Sequence, residues 1–185
     1  MIPSRANIPV VSLIVLTALT RLLPHWPNVT PVMAIALCAG AMFSNRLQSL
    51  LVPIIAMLIS DLSLGFVLGP EYALHATQPW VYACVLATSM LGQSMQNASS
   101  LKLVLLGGSL ASIGFFVVTN FAVWLHGSFY PATFEGLAAC YAAGLAFYRD
   151  SGNFLLNGML STYAFSAAIV YGSQLLQAKP SHLNR

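Results

Sequence analysis

Three stretches of this chain are long, apolar and almost free of charge: Leu47–Leu68, Leu101–Leu125 and Phe154–Leu176. A helix needs about 20 residues to cross the hydrocarbon core of a bilayer, and each stretch reaches that length. Backbone amides and carbonyls find no partner in lipid, so a crossing segment must close its hydrogen bonds within itself, as a helix does. The rest of the sequence could not build a water-facing shell. Charged residues make up 6% of the 185 and hydrophobic residues 58%, whereas a soluble domain carries about 25% charge. The expected fold class is therefore all-α, a polytopic membrane helix bundle forming a single domain over residues 1–185.

Four further apolar segments are shorter. Ile8–Leu23 is closed by Pro24, Pro31–Phe43 is rich in Ala and Gly, and Trp80–Met95 falls short of a full span. These three need their flanks, or a locally thin or protein-buried place, to count as crossings. Phe134–Tyr148 reads as a re-entrant or interfacial helix. It carries Gly136, Cys140 and Gly144 at spacing four, which permits close helix contact or arises by chance in an Ala-rich segment. Arg5 ahead of Ile8–Leu19 has the look of a signal peptide, but no small-x-small cleavage site follows, and a retained first helix is expected.

About six spans with both termini inside satisfy the charges. The inner side then holds Arg5, Arg46, Lys102, Lys179 and Arg185 and no acidic residue. The outer side holds Arg21, Arg149, Glu71, Glu135 and Asp150, in keeping with the positive-inside rule. A formal net charge of +3 without a basic run argues against a nucleic-acid partner. No phosphate-cradling Gly-rich loop with Lys-Ser/Thr appears, so the chain does not hydrolyse ATP itself. Cys38, Cys84 and Cys140 lack metal-finger spacing.

On this topology the polar and aromatic residues gather in the outer half. Asp61 lies within a span, where a carboxylate costs roughly 2.5 kcal/mol or more and must face protein or water. It reads either as a ligand-site residue or as a structural contact, for instance with Arg21. Cys84 shares a helix face with Trp80 and Thr88. A buried Cys is ordinarily a small hydrophobe. A lone thiolate cannot make a zinc site, but it can supply an axial ligand to a metal already held by a macrocycle. Phe116, Asn120 and Trp124 recur at spacing four, as core packing or as a polar group between flat surfaces. Trp26, Trp80 and Trp124 fall near the outer boundary as an aromatic belt would. His25, Asn28, His75, Arg149 and Asn153 approach the same side. Cys38 and Cys140 read as packing.

Two motif groups carry a resemblance. Arg21-Leu22-Leu23-Pro24-His25-Trp26-Pro27-Asn28-Val29-Thr30-Pro31 with Ala34-Ile35-Ala36 forms the first. Ser60-Asp61-Leu62, Thr119-Asn120-Phe121-Ala122-Val123-Trp124 and Gly136-Leu137 with Cys140-Tyr141 form the second. Together they resemble the S components of energy-coupling-factor vitamin transporters, small multi-pass proteins of the bacterial cytoplasmic (inner) membrane. A Cys in the fourth segment is similar to that of the BtuM-like solitary cobalamin transporters. The resemblance implies vitamin uptake, with cobalamin as the bound substrate and no cofactor of the protein's own. It implies that Cys84 is the axial ligand of the cobalamin cobalt and removes the upper axial group, such as cyanide. An energising module is either recruited or dispensed with; Ala36 and Gly40 would serve its docking or would pack internally. Expected ligand contacts are Cys84, His25, Trp26, Asn28, Asp61, Trp80, Asn120, Trp124 and Arg149. The rivals are an S component for another vitamin or a nucleobase, a membrane enzyme using Asp61 with Arg21 or His25, and a ligand-free structural subunit.

Overall fold

A computed structural model describes residues 25–72 and 75–177, together with 15, 19, 20 and 23. Most of the expected first span, with Arg21, lies outside the described residues, as do Arg5, Lys179 and Arg185. Among the described residues six α-helices follow one another: α1 (Val32–Met42), α2 (Arg46–Leu68), α3 (Gln78–Ser94), α4 (Ser100–His126), α5 (Phe134–Leu145) and α6 (Phe154–Gln177). Among the described residues there is no strand, only an isolated bridge between Tyr148 and Gly152. Helices α2, α4 and α6 are long and apolar enough to cross a membrane. Their outward faces remain bare, with Ile59 61%, Leu160 64% and Phe66 93% exposed. So large an apolar surface suits lipid rather than water.

Short side-chain caps set the helix starts. Asn45 accepts hydrogen bonds from the Leu47 and Gln48 amides, Ser99 from Lys102, Thr133 from Gly136 and Asn153 from Leu156. Each satisfies amide donors that the first helical turn leaves over. Helix α4 begins with a widened π turn over Leu103–Gly107.

Helix α1 explains why Pro31–Phe43 is so short and so apolar. Its 11 residues extend about 16 Å, too little to cross a bilayer. It does not need to face lipid, because ten of its residues are buried and it packs against α2, α3, α4 and α6. A helix that is apolar all round belongs inside. Where α1 crosses α3, Gly40 and Gly92 let the two backbones touch. A β-carbon on Gly40 would lie 2.0 Å from the Ser89 carbonyl oxygen, and one on Gly92 would lie 2.2 Å from that of Leu37. Ala36 is likewise fully buried, so Ala36 and Gly40 pack internally and present no docking face.

The Gly136–Cys140–Gly144 stripe is used for contact. Cys140 Sγ donates to the Asn120 carbonyl oxygen at 3.4 Å, and Gly144 abuts Phe116 and Asn120. Helix α5 thus lies against α4 and α6. Its 12 residues again fall short of a span, as the re-entrant or interfacial reading of Phe134–Tyr148 requires.

Candidate ligand-binding site

The bundle is hollow at the end where α3 begins and α4 finishes. The turn at Pro27–Asn28, in which Asn28 adopts a left-handed φ of 62°, is fastened to the start of α6. The Asn157 amide donates to the Pro27 carbonyl at 2.9 Å and to that of Ser151 at 2.7 Å, and the Ser161 hydroxyl donates to the Asn28 carbonyl at 3.1 Å. Asn tolerates positive φ better than most residues, which suits it to this corner. Asn28 returns the contact by donating to the Phe154 carbonyl at 3.1 Å.

Two cavities open around this turn, and a third adjoins them at Phe115. The largest, about 340 Å³, lies between α4, α5 and the turn, with Asn28, Thr119, Asn120, Tyr130 and Tyr148 in its lining. A second, about 180 Å³, is lined by Asn28, Thr30, His75, Gln78, Ser112 and Thr162 among others. Among the described residues, neither lining contains Asp, Glu, Lys or Arg. The third, also about 180 Å³, is an apolar cleft between α3 and α4 formed by Cys84, Thr88, Leu91, Leu110, Gly114 and Val118 with their neighbours. Phe115 borders all three. Val81 and Asn28 border both polar ones.

Asp61 stands behind the second cavity. It is buried to 2% exposure and its Oδ2 accepts hydrogen bonds from the Gln78 amide and, at 3.0 Å, from the Tyr82 hydroxyl. The carboxylate predicted to need a partner inside the membrane therefore has them in α3. Neither Gln78 nor Tyr82 stands out in the sequence. The only signal for them was the requirement that something satisfy Asp61.

The structure brings some of the predicted residues together and separates others. Asn28 and Asn120 line one cavity, and Asn28 shares the next with Gln78, the partner of Asp61. Cys84 is buried at 6% exposure and reaches these cavities only past Phe115. Trp80 and Trp124 flank Phe121 at ring separations of 6.0 and 5.5 Å. Their indole nitrogens are committed to His126 Nε2 at 3.0 Å and the Pro131 carbonyl at 2.9 Å, outside the three linings. Trp26 is 55% exposed, His25 is exposed with Nδ1 3.0 Å from the Trp26 carbonyl oxygen, and Arg149 is exposed on the loop after α5. Among the described residues, no three His, Cys, Asp or Glu side chains come together to hold a metal ion.

A family model matches residues 3–183, a family of unknown function designated DUF6580. The chain belongs to this family. No curated protein and no solved structure matches it. The family spans the whole described bundle, so the cavities around Phe115 and the Asp61–Gln78 contact lie wholly inside the shared region.

Proposed function

We propose that this DUF6580 protein is a multi-pass transporter of the bacterial cytoplasmic membrane, of the S-component type, which binds a vitamin in the cavities around Phe115. Cobalamin is the substrate this reading favours. The observation that carries it is the meeting of the three cavities at one side chain. Ligand pockets run from about 300 to 1,000 Å³, and the polar pair alone falls toward the lower part of that range. Rotation of Phe115 out of the way joins them to the cleft that holds Cys84.

On this reading the polar cavities take the carboxamide-bearing edge of the corrin, and the ring slides between α3 and α4. The Cys84 sulfur takes the cobalt position vacated by the axial group, and the thiol proton leaves with the displaced anion (cyanide departing as hydrogen cyanide), so the cobalt oxidation state does not change. Cobalt arrives already held by the macrocycle, so a single soft protein ligand suffices. Entry is from the side where Asn28 and Gln78 lie, and the bundle reorients to release the ligand on the other side, with or without an energising module.

One observation favours a second reading. Phe115 closes the Cys84 cleft off from the polar cavities, and about 340 Å³ suits a smaller vitamin or a nucleobase without any movement. The visible absorption spectrum of the protein purified in detergent with cobalamin decides between the two. Cobalt bands shifted in the parent and returned to the free-cobalamin position in Cys84→Ala support the first reading. A colourless parent removes cobalamin and returns Cys84 to packing.

A further inference from the structure

Three side-chain carboxamides line the polar cavities, and each spends an N–H on the protein. The Asn28 nitrogen donates to the Phe154 carbonyl at 3.1 Å, the Asn120 nitrogen to the Phe116 carbonyl at 2.8 Å, and the Gln78 nitrogen to Asp61 Oδ2. Backbone carbonyls and carboxylates accept hydrogen bonds and give none, so these partners dictate which way each amide is turned. Among the described residues, each amide therefore keeps its carbonyl oxygen and one N–H for whatever enters. Gln78 is the most constrained of the three, at 8% exposure. Among the described residues nothing donates to its carbonyl oxygen, and its side chain borders the cavity shared with Thr30, His75 and Thr162.

We infer that this cavity reads primary carboxamides, with Gln78 as the contacting group and Asp61 as the residue that positions it. A primary carboxamide offers an N–H to the Gln78 carbonyl and an acceptor to its remaining N–H. A carboxylate offers acceptors only. It would leave the Gln78 oxygen facing another oxygen in a cavity whose lining holds no Lys or Arg among the described residues, and buried polar sites reject ligands that leave them unpaired. Asp61 matters because it accepts only. An asparagine in its place can donate as well as accept, so Gln78 can turn either edge to the cavity and the discrimination is lost. The inference rests on reading these cavities as a ligand site, but not on the identity of the ring that the carboxamide decorates.

The test uses nicotinamide and nicotinate as probes, one ring carrying either a primary amide or a carboxylate, with binding to the full chain in detergent followed by saturation-transfer NMR. The parent is expected to bind nicotinamide at least about tenfold more tightly than nicotinate, the discrimination that one well-placed hydrogen bond supports. Gln78→Met abolishes the preference, and Asp61→Asn narrows it to about twofold by admitting the acid. Equal binding of both probes to the parent, or no binding of nicotinamide, overturns the inference without recourse to any variant. Undiminished preference in Asp61→Asn removes Asp61 from it. The cobalamin spectrum is independent. Amide preference in a colourless protein keeps this inference and discards the corrin, whereas cobalt bands without amide preference do the reverse.

Discussion

The end of the bundle near Arg46 and Lys102 is packed shut, whereas the end near Asn28 and Gln78 is hollow. At the closed end Leu37, Cys38, Leu103, Ile169 and Val170 are fully buried in one cluster, and α1 meets α3 backbone to backbone. Gln96 ties the chain together there, donating to the Gly40 and Phe43 carbonyls at 3.2 and 3.0 Å, and Gln174 donates to the Ser100 hydroxyl at 2.8 Å. At the open end hydrogen bonds fasten a turn and aim amides, and space is left between them. In lipid there is little hydrophobic gain from bringing helices together, so association rests on close van der Waals contact and on polar pairs. The closed end supplies the contact. That leaves the open end able to spend its polar groups on a cavity.

The largest effect should come from a single methyl group at the closed end. In Gly92→Ala the new β-carbon would sit 2.2 Å from the Leu37 carbonyl oxygen and 2.9 Å from the Gly40 α-carbon. Both obstacles are backbone, so no side chain can swing aside and the helices must part. A loss of roughly 3 kcal/mol or more is expected, read as a large fall in the unfolding temperature in detergent. An unfolding temperature near that of the parent would mean the α1–α3 crossing does not anchor the fold.

A middle-sized effect is expected at the fastening of the open end. Asn157→Leu removes the donors to the Pro27 and Ser151 carbonyls and buries those acceptors beside a hydrocarbon. Each unpaired acceptor costs about 1–3 kcal/mol, some of it recovered by water reaching the cavity, so a net loss of about 2 kcal/mol is expected. Because the same turn carries Asn28 into both polar cavities, ligand affinity should fall together with stability. Stability lost with affinity intact would detach the turn from the site.

The two ends were not equally legible in the sequence. Apolar length placed α2, α4 and α6 to within one or two residues, because a membrane span is a composition before it is a contact. The same reasoning marked Pro31–Phe43 as too short. It did not reveal that α1 is the centre of the bundle, since an Ala/Gly-rich apolar run has no preferred face and burial depends on neighbours far along the chain. Asp61 was recognisable because charge in a span demands a partner. Gln78 was not, since a glutamine at a helix start is unremarkable until a carboxylate 17 residues earlier is found against it. The direction of Trp80 and Trp124, whose nitrogens turn to His126 and Pro131, depends on loop geometry that no periodicity encodes. The widened turn at Leu103–Gly107 left no sequence signal either. There Gly107 faces the Leu37 side chain and Gly108 the Tyr163 ring, so the two glycines meet neighbours from distant parts of the chain.

The smallest effect on stability separates the two ends most sharply. Gly114 lines the Cys84 cleft, and among the described residues nothing lies within 4 Å of a β-carbon built there. The residue type and the substitution are those of Gly92→Ala, but the methyl enters open space. Removing a glycine from a helix also recovers about 0.5–1 kcal/mol of backbone entropy. Gly114→Ala should therefore leave the unfolding temperature unchanged or slightly raised. Its consequence should appear in binding, because the methyl narrows the cleft through which a corrin would reach Cys84. Weaker cobalamin binding at undiminished stability would mark the cleft as part of the site. Unchanged binding would place the ligand wholly on the polar side of Phe115. A large loss of stability would show that another segment packs over Gly114 and that the cleft is filled.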